Sequence, residues 1–135
     1  SPVVNHRETT DRMVYSVDFS PAQSSAELVA MSGLQPTVKL LDVRSKTTRE
    51  IKGQSWWNTG VAFTLDGERL ATASPAGEIT FWDMATLDEV GTFRPRSHTR
   101  KLAFTNDGLV TASSEGFVNF WKAASVEECR SVVSE

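Results

Sequence analysis

One pattern of short apolar runs is written three times along the 135 residues. The first run reads VDFSP at 17–21, VAFTLDG at 61–67 and LAFTNDG at 102–108. The second reads LVAMSG at 28–33, LATASP at 70–75 and LVTASS at 109–114, and the third VKLLD at 38–42, ITFWD at 79–83 and VNFWK at 118–122. Phe19, Phe63 and Phe104 are 44 and 41 residues apart, and Leu41, Trp82 and Trp121 are 41 and 39 apart. A fourth strand-sized segment completes each period: REIKG, EVGTF or CRSVV. A unit of four short strands recurring every 40 to 45 residues or so cannot bury its apolar residues alone and must stack on its neighbours.

The punctuation agrees with strands. Asp-Gly stands between apolar runs in LDGE and NDGL, a hairpin signal. Pro75-Ala76-Gly77 and Ser114-Glu115-Gly116 set a glycine where the next hairpin reverses. The longer SPAQSSAE accounts for the three extra residues of the first period. No window carries a helical apolar period. In ITFWD, Ile79 and Phe81 point one way and Trp82 the other, and Val118 and Phe120 oppose Trp121 in the same manner. A strand with one wet face alternates apolar with polar. These are apolar on both faces, so each sheet is expected to lie between two others. The fold class is all-β.

At this spacing, ITFWD after LATAS after VAFTLDG resembles the WD-repeat β-propeller family, over roughly residues 9 to 133. The resemblance implies blades of four antiparallel strands, three of them in this chain: residues 13–53, 54–94 and 95–135. Residues 1–12 then form an N-terminal arm or the outer strand of a preceding blade. The structural repeat positions are Phe19, Phe63, Phe104, Leu41, Trp82 and Trp121. Some family features are missing. The histidine of the family's Gly-His pair aligns with Thr10, Gln54 and Pro95, and His98 falls three residues too late for it. The family's hairpin aspartate aligns with Gln35, Ala76 and Glu115. The His–Ser/Thr–Trp relay is thus incomplete in each copy, and apolar packing is expected to hold the blades. Propellers close with about four to eight blades. Three leave two apolar faces open, so the ring is expected to be completed by other segments or chains, or by copies of this chain.

Composition bounds the function. The net charge of -3, from 14 basic and 17 acidic residues, argues against nucleic-acid binding by the whole domain. No apolar run reaches membrane-spanning length, and no signal peptide precedes the first strand. The chain begins Ser1-Pro2 without an initiator Met, as a processed product or part of a longer polypeptide does. Single Cys129 fits a reducing compartment, cytoplasmic or nuclear. His6, His98 and Cys129 make no metal-ligand spacing, and the glycines form no phosphate cradle. No catalytic residue, metal or cofactor is expected, and the chain is read as a non-enzyme.

Two stretches suggest recognition, both in connections between a fourth strand and the next first strand. Trp56-Trp57-Asn58 places two adjacent indoles in a polar connection, where both cannot enter one packed layer; tryptophan is a common interface anchor. RPRSHTRK at 94–101 gathers Arg94, Arg96, His98, Arg100 and Lys101 with no acid. Such a loop suits an acidic peptide, a phosphate or single-stranded nucleic acid. A weaker motif, LLDVRS at 40–45, resembles the Trp-Asp-x-Arg ending of substrate-receptor propellers of cullin-type ubiquitin ligases, which would make Asp42 and Arg44 an adaptor contact. The expected function is a protein–protein interaction scaffold in a multi-subunit assembly. The alternatives are a nucleic-acid or ribonucleoprotein contact through 94–101 and the ligase-receptor role.

Overall fold

The computed structural model describes residues 3–4, 6–10, 12–22, 24–51, 57–95 and 98–122. Among these are eleven strands and no helix: β1 Val14–Phe19, β2 Leu28–Gly33, β3 Val38–Asp42, β4 Thr48–Ile51, β5 Gly60–Phe63, β6 Arg69–Ala73, β7 Ile79–Asp83, β8 Glu89–Phe93, β9 Thr99–Thr105, β10 Gly108–Ser113 and β11 Val118–Lys122. They form three antiparallel sheets, ordered β1-β2-β3-β4, β5-β6-β7-β8 and β9-β10-β11. Sequence neighbours pair throughout, so every connection is a hairpin or a short crossing to the next sheet. The expected fourth strand of the third unit, CRSVV with Cys129, lies outside the described residues.

The sheets are layered, and two cores fill the gaps. Val38, Leu40 and Ile51 of the first sheet meet Phe63, Leu70 and Trp82 of the second. On the far side of that second sheet, Ile79, Phe81 and Phe93 meet Phe104, Leu109 and Trp121 of the third. Phe81 lies edge-on to Phe104 at 6.2 Å, and Phe93 edge-on to Trp121 at 5.6 Å. β7 is buried along Ile79, Thr80, Phe81 and Trp82 because both its faces are covered. Each fully buried aliphatic or aromatic side chain contributes about 1.5–3 kcal/mol. The inner strands β1, β5 and β9 run side by side. There the Phe63 N–H donates to Asp18 Oδ2 at 2.7 Å, tying the first two sheets together.

Two polar details depart from expectation. The indole of Trp82 donates to Thr72 Oγ1 at 3.0 Å, and that of Trp121 to Thr111 Oγ1 at 3.0 Å. The hydroxyl–indole half of the relay therefore survives in two blades. In the first sheet, pairing sets Phe19 opposite Val29 and Leu41 opposite Val29, as Phe63 and Trp82 lie opposite Leu70. Val29, not Leu28, is thus the counterpart of Leu70, one residue later than the run-by-run sequence match. Met31 then stands where Thr72 stands, and Leu41 where Trp82 stands. Donor and acceptor are replaced together by apolar groups, a change that leaves nothing buried and unpaired.

The turns show what the Asp of each Trp-Asp position does. Asp83 Oδ1 accepts the N–H groups of Ala85 at 2.7 Å and Thr86 at 3.2 Å. Asp42 Oδ1 accepts those of Arg44 at 3.0 Å and Ser45 at 3.2 Å. Both turns end on a left-handed non-glycine residue, Lys46 (φ 60°) or Leu87 (φ 62°). The LDGE hairpin places Gly67 at φ 74°, as an Asp-Gly turn requires. In the third sheet Thr105 pairs with Gly108, so the loop there is Asn106-Asp107 and the glycine begins the strand. No strand forms among the described residues of 1–12; instead the Thr9 carbonyl accepts from Lys39 Nζ at 3.0 Å.

Candidate functional site

Each sheet runs inner strand, hairpin, second strand, hairpin, third strand. The connections into β5 and β9 and the β2–β3, β6–β7 and β10–β11 hairpins therefore share one end of the layered sheets. Both recognition stretches reach this end. The opposite end carries the 20–27 loop and the Asp-capped turns.

Trp57 is half-buried, and its ring lies 5.6 Å from that of Tyr15, tilted by 52°. Tyr15 itself is exposed. The pair presents an aromatic surface where β1 and β5 begin. Trp56 and Arg96 lie outside the described residues. Asn58, expected at the partner-facing rim, is completely buried instead. Its backbone N–H donates to the Gly33 carbonyl at 3.0 Å, which draws the chain inward between the first two sheets. Thr59 follows, its hydroxyl 3.1 Å from the Thr99 carbonyl. That contact holds the start of β9 beside the start of β5.

The basic stretch divides. Arg94 is paired with Glu78 and also donates to the Ala76 carbonyl at 3.2 Å. His98 Nδ1 lies 3.1 Å from Glu115 Oε1. His98, three residues after the family's Gly-His position, meets the carboxylate at the family's hairpin-aspartate position. It directly precedes β9, and its carbonyl accepts from Ser114 N–H at 3.1 Å, which lays its side chain against the β10–β11 hairpin. Arg94 and His98 thus each face a carboxylate. Arg100 and Lys101 remain exposed, and Lys101 Nζ reaches the Tyr15 carbonyl at 3.5 Å. The Tyr15–Trp57 pair and Lys101 thus meet at the inner-strand mouth, beside a groove of about 670 Å³ lined by β1, β5 and β9, and exposed Arg100 directly precedes Lys101 in β9.

At the other end, Asp42 is occupied in capping its turn, and Arg44 donates through Nη2 to Glu27 Oε1 at 3.0 Å. Hydrogen bonds from the Ser45 N–H, then the Arg44 N–H, hold the Asp42 carboxyl below its usual range. The Ala85 and Thr86 N–H groups do the same for Asp83. Among the described residues, no three His, Cys, Asp or Glu side chains gather where a metal ion would fit. No helix there is long and apolar enough to cross a membrane.

Three comparisons with known proteins bear on this geometry. No protein-family model matches the chain. The nuclear distribution proteins nudF of Emericella nidulans and PAC1 of Gibberella zeae are each 32% identical to it over 65 residues, 48% of this chain. The match spans only 15% and 14% of their respective lengths. The crystal structure of the Myceliophteria thermophila Cps50 (Swd1) β-propeller domain superposes with a TM-score of 0.73 at 15% identity, over 90% of this chain and 39% of that one. The fold is that of a β-propeller. The described residues form three successive antiparallel sheets of that fold.

Proposed function

We propose that the chain is a non-catalytic scaffold that holds other proteins together, as part of a propeller completed by further blades. The observation that carries this reading is the mouth formed by Tyr15, Trp57, Arg100 and Lys101. Tyr15 and Lys101 stand there on paired strands, with Trp57 packed beside Tyr15 from the connection before β5 and Arg100 exposed next to Lys101. Such a surface suits a protein segment that offers an apolar anchor and acidic side chains. A propeller rim presents many loops on a rigid frame, which serves binding better than bond-making. The similarity to WD-repeat proteins supports the same reading, and a cytoplasmic or nuclear setting accords with it. The pairing of Arg94 with Glu78 and the contact of His98 with Glu115 weaken the nucleic-acid alternative, because both side chains already face a carboxylate.

The test is affinity purification of the tagged chain from cells against a Trp57→Ala, Arg100→Glu double variant. Proteins retained by the wild type should be lost by a variant with unchanged melting temperature. Retention of the same proteins by both would remove the mouth as the docking surface.

A further inference from the structure

Strand register aligns the inner corner of the junction between the first two sheets with that of the junction between the second and third. Ser16, Asp18 and Ser32 of the first sheet take the places that Gly60, Ala62 and Ala73 take in the second. Ser16 lies directly opposite Ser32, and Asp18 opposite Ala30, so all three side chains share the face that Ala30 turns to the second sheet. Asn58, five residues before Phe63, enters from the second blade at the same level, where its N–H donates to the carbonyl of Gly33, next to Ser32. Thr99 is its counterpart, five residues before Phe104. The first junction thus gathers two hydroxyls, a carboxylate and a carboxamide where the second has glycine, two alanines and one threonine. Asn58 is completely buried and Ser32 is 1% exposed. Asn58 Oδ1, Asn58 Nδ2 and Ser32 Oγ have no hydrogen-bond partner among the described residues.

A buried polar atom without a partner is costly, and in folded proteins nearly all such atoms are paired. We infer that this corner is a binding site for internal water, at least one molecule of which links Asn58 of the second blade to Ser32 of the first. The chemistry selects water. Asn58 needs an acceptor for its Nδ2 protons and a donor for Oδ1, and the Ser32 hydroxyl can serve as either. A cation cannot accept the amide protons, and an anion cannot donate to Oδ1. Both side chains are closed to bulk solvent, so the ligand is small as well as amphoteric. An internal water has about three polar partners, and the three unpaired atoms supply them. Asp18 lines the same face and is held there by the Phe63 N–H, which donates to Oδ2 at 2.7 Å. In the second junction Thr99 contributes a single unpaired oxygen, too few partners to hold a water. The water therefore belongs to the first junction, where it anchors the chain directly after Trp57.

Rotating-frame Overhauser spectra of the isotope-labelled wild-type chain test this directly. Dipolar cross peaks should connect water to the Asn58 side-chain amide protons, opposite in sign to those from proton exchange. A double-mutant cycle reads the same link as stability. Asn58→Leu should lower the melting temperature by roughly 3–10 °C, because it expels the water and strands the Ser32 hydroxyl. Ser32→Ala should lower it less. The double variant should lose clearly less than the sum, because either single change already breaks the shared bridge. Far-UV circular dichroism checks that the variants fold, and the wild-type spectra decide alone if Asn58→Leu does not. Absence of the dipolar cross peaks overturns the proposal. So does a higher melting temperature for Asn58→Leu, the result for an amide with no partner at all, or additivity of the two changes. Trp57, Arg100 and Lys101 are untouched by these variants, so failure here is separable from failure of the scaffold reading.

Discussion

Replacing Thr72 by Val isolates the hydroxyl–indole bond that the second blade retains. Val keeps the β-branched shape and removes the only acceptor seen for the Trp82 N–H, 3.0 Å away. Both residues are almost completely buried, so water cannot take the place of the hydroxyl. An orphaned buried donor costs about 1–3 kcal/mol. For a chain of this size that lowers the melting temperature by roughly 3–15 °C. Trp121 is only half-buried, so Thr111→Val strands a less deeply buried side chain and should cost less, under about 1 kcal/mol. Removing both partners in Thr72→Val, Trp82→Phe should be less harmful than the sum of the single changes, with a coupling of about 1 kcal/mol. The first blade already carries that solution as Met31 and Leu41. Urea unfolding followed by far-UV circular dichroism measures all four variants. If Thr72→Val costs under about 0.5 kcal/mol, or if Thr111→Val costs as much, the polar pair does not contribute in the way argued.

Three further expectations can be checked with the same chain. Lys46 is exposed and left-handed at φ 60°, so Lys46→Gly should raise the unfolding free energy by about 0.5–1 kcal/mol, and a lower melting temperature would contradict this. Asp83 is held below its ordinary 3.8 by the Ala85 and Thr86 N–H groups. With the folded value below the unfolded one, its stabilisation is complete above about pH 4 and disappears as pH falls through the folded value. Asp83→Asn keeps an acceptor oxygen but cannot titrate, so its melting temperature should fall less in acid than that of the wild type; parallel profiles would show that this carboxylate plays no part. For the mouth, affinity for an acidic peptide should exceed that for a single-stranded RNA probe in fluorescence anisotropy. Tight RNA binding that weakens steeply with salt would instead favour the nucleic-acid reading.

Much of the fold was legible because it follows from local chemistry repeated in register. β-Branched and aromatic runs, glycines at forced turns and a period near 40 residues each act within a few residues of themselves, and they mark strands, hairpins and blades directly. The two-sided apolarity of ITFWD likewise announced that a neighbour would cover each face. The candidate site was only half legible. A pair of tryptophans and a run of cations point to recognition, but nothing in RPRSHTRK shows that Arg94 and His98 are matched by Glu78 and Glu115. Those carboxylates lie 16 and 17 residues away along the chain and arrive only through hairpin pairing. Asn58 reads as a polar rim residue, and only the bond from its N–H to Gly33 draws it into the interior. Tyr15 gave no signal beyond its strand, since its partnership with Trp57 spans two blades.

The sequence by itself determined that the chain is all-β, that it repeats three times and that the repeats must stack. Those properties depend on residue type and spacing, which the chain carries in every conformation. Tertiary structure alone decided which cations stay exposed, which polar residues are sealed in and which faces remain open. Each of these depends on atoms distant in sequence coming within a few ångströms. Phe63 and Phe19 occupy the same place in the repeat, and one is buried while the other is bare because a blade stands in front of only one of them.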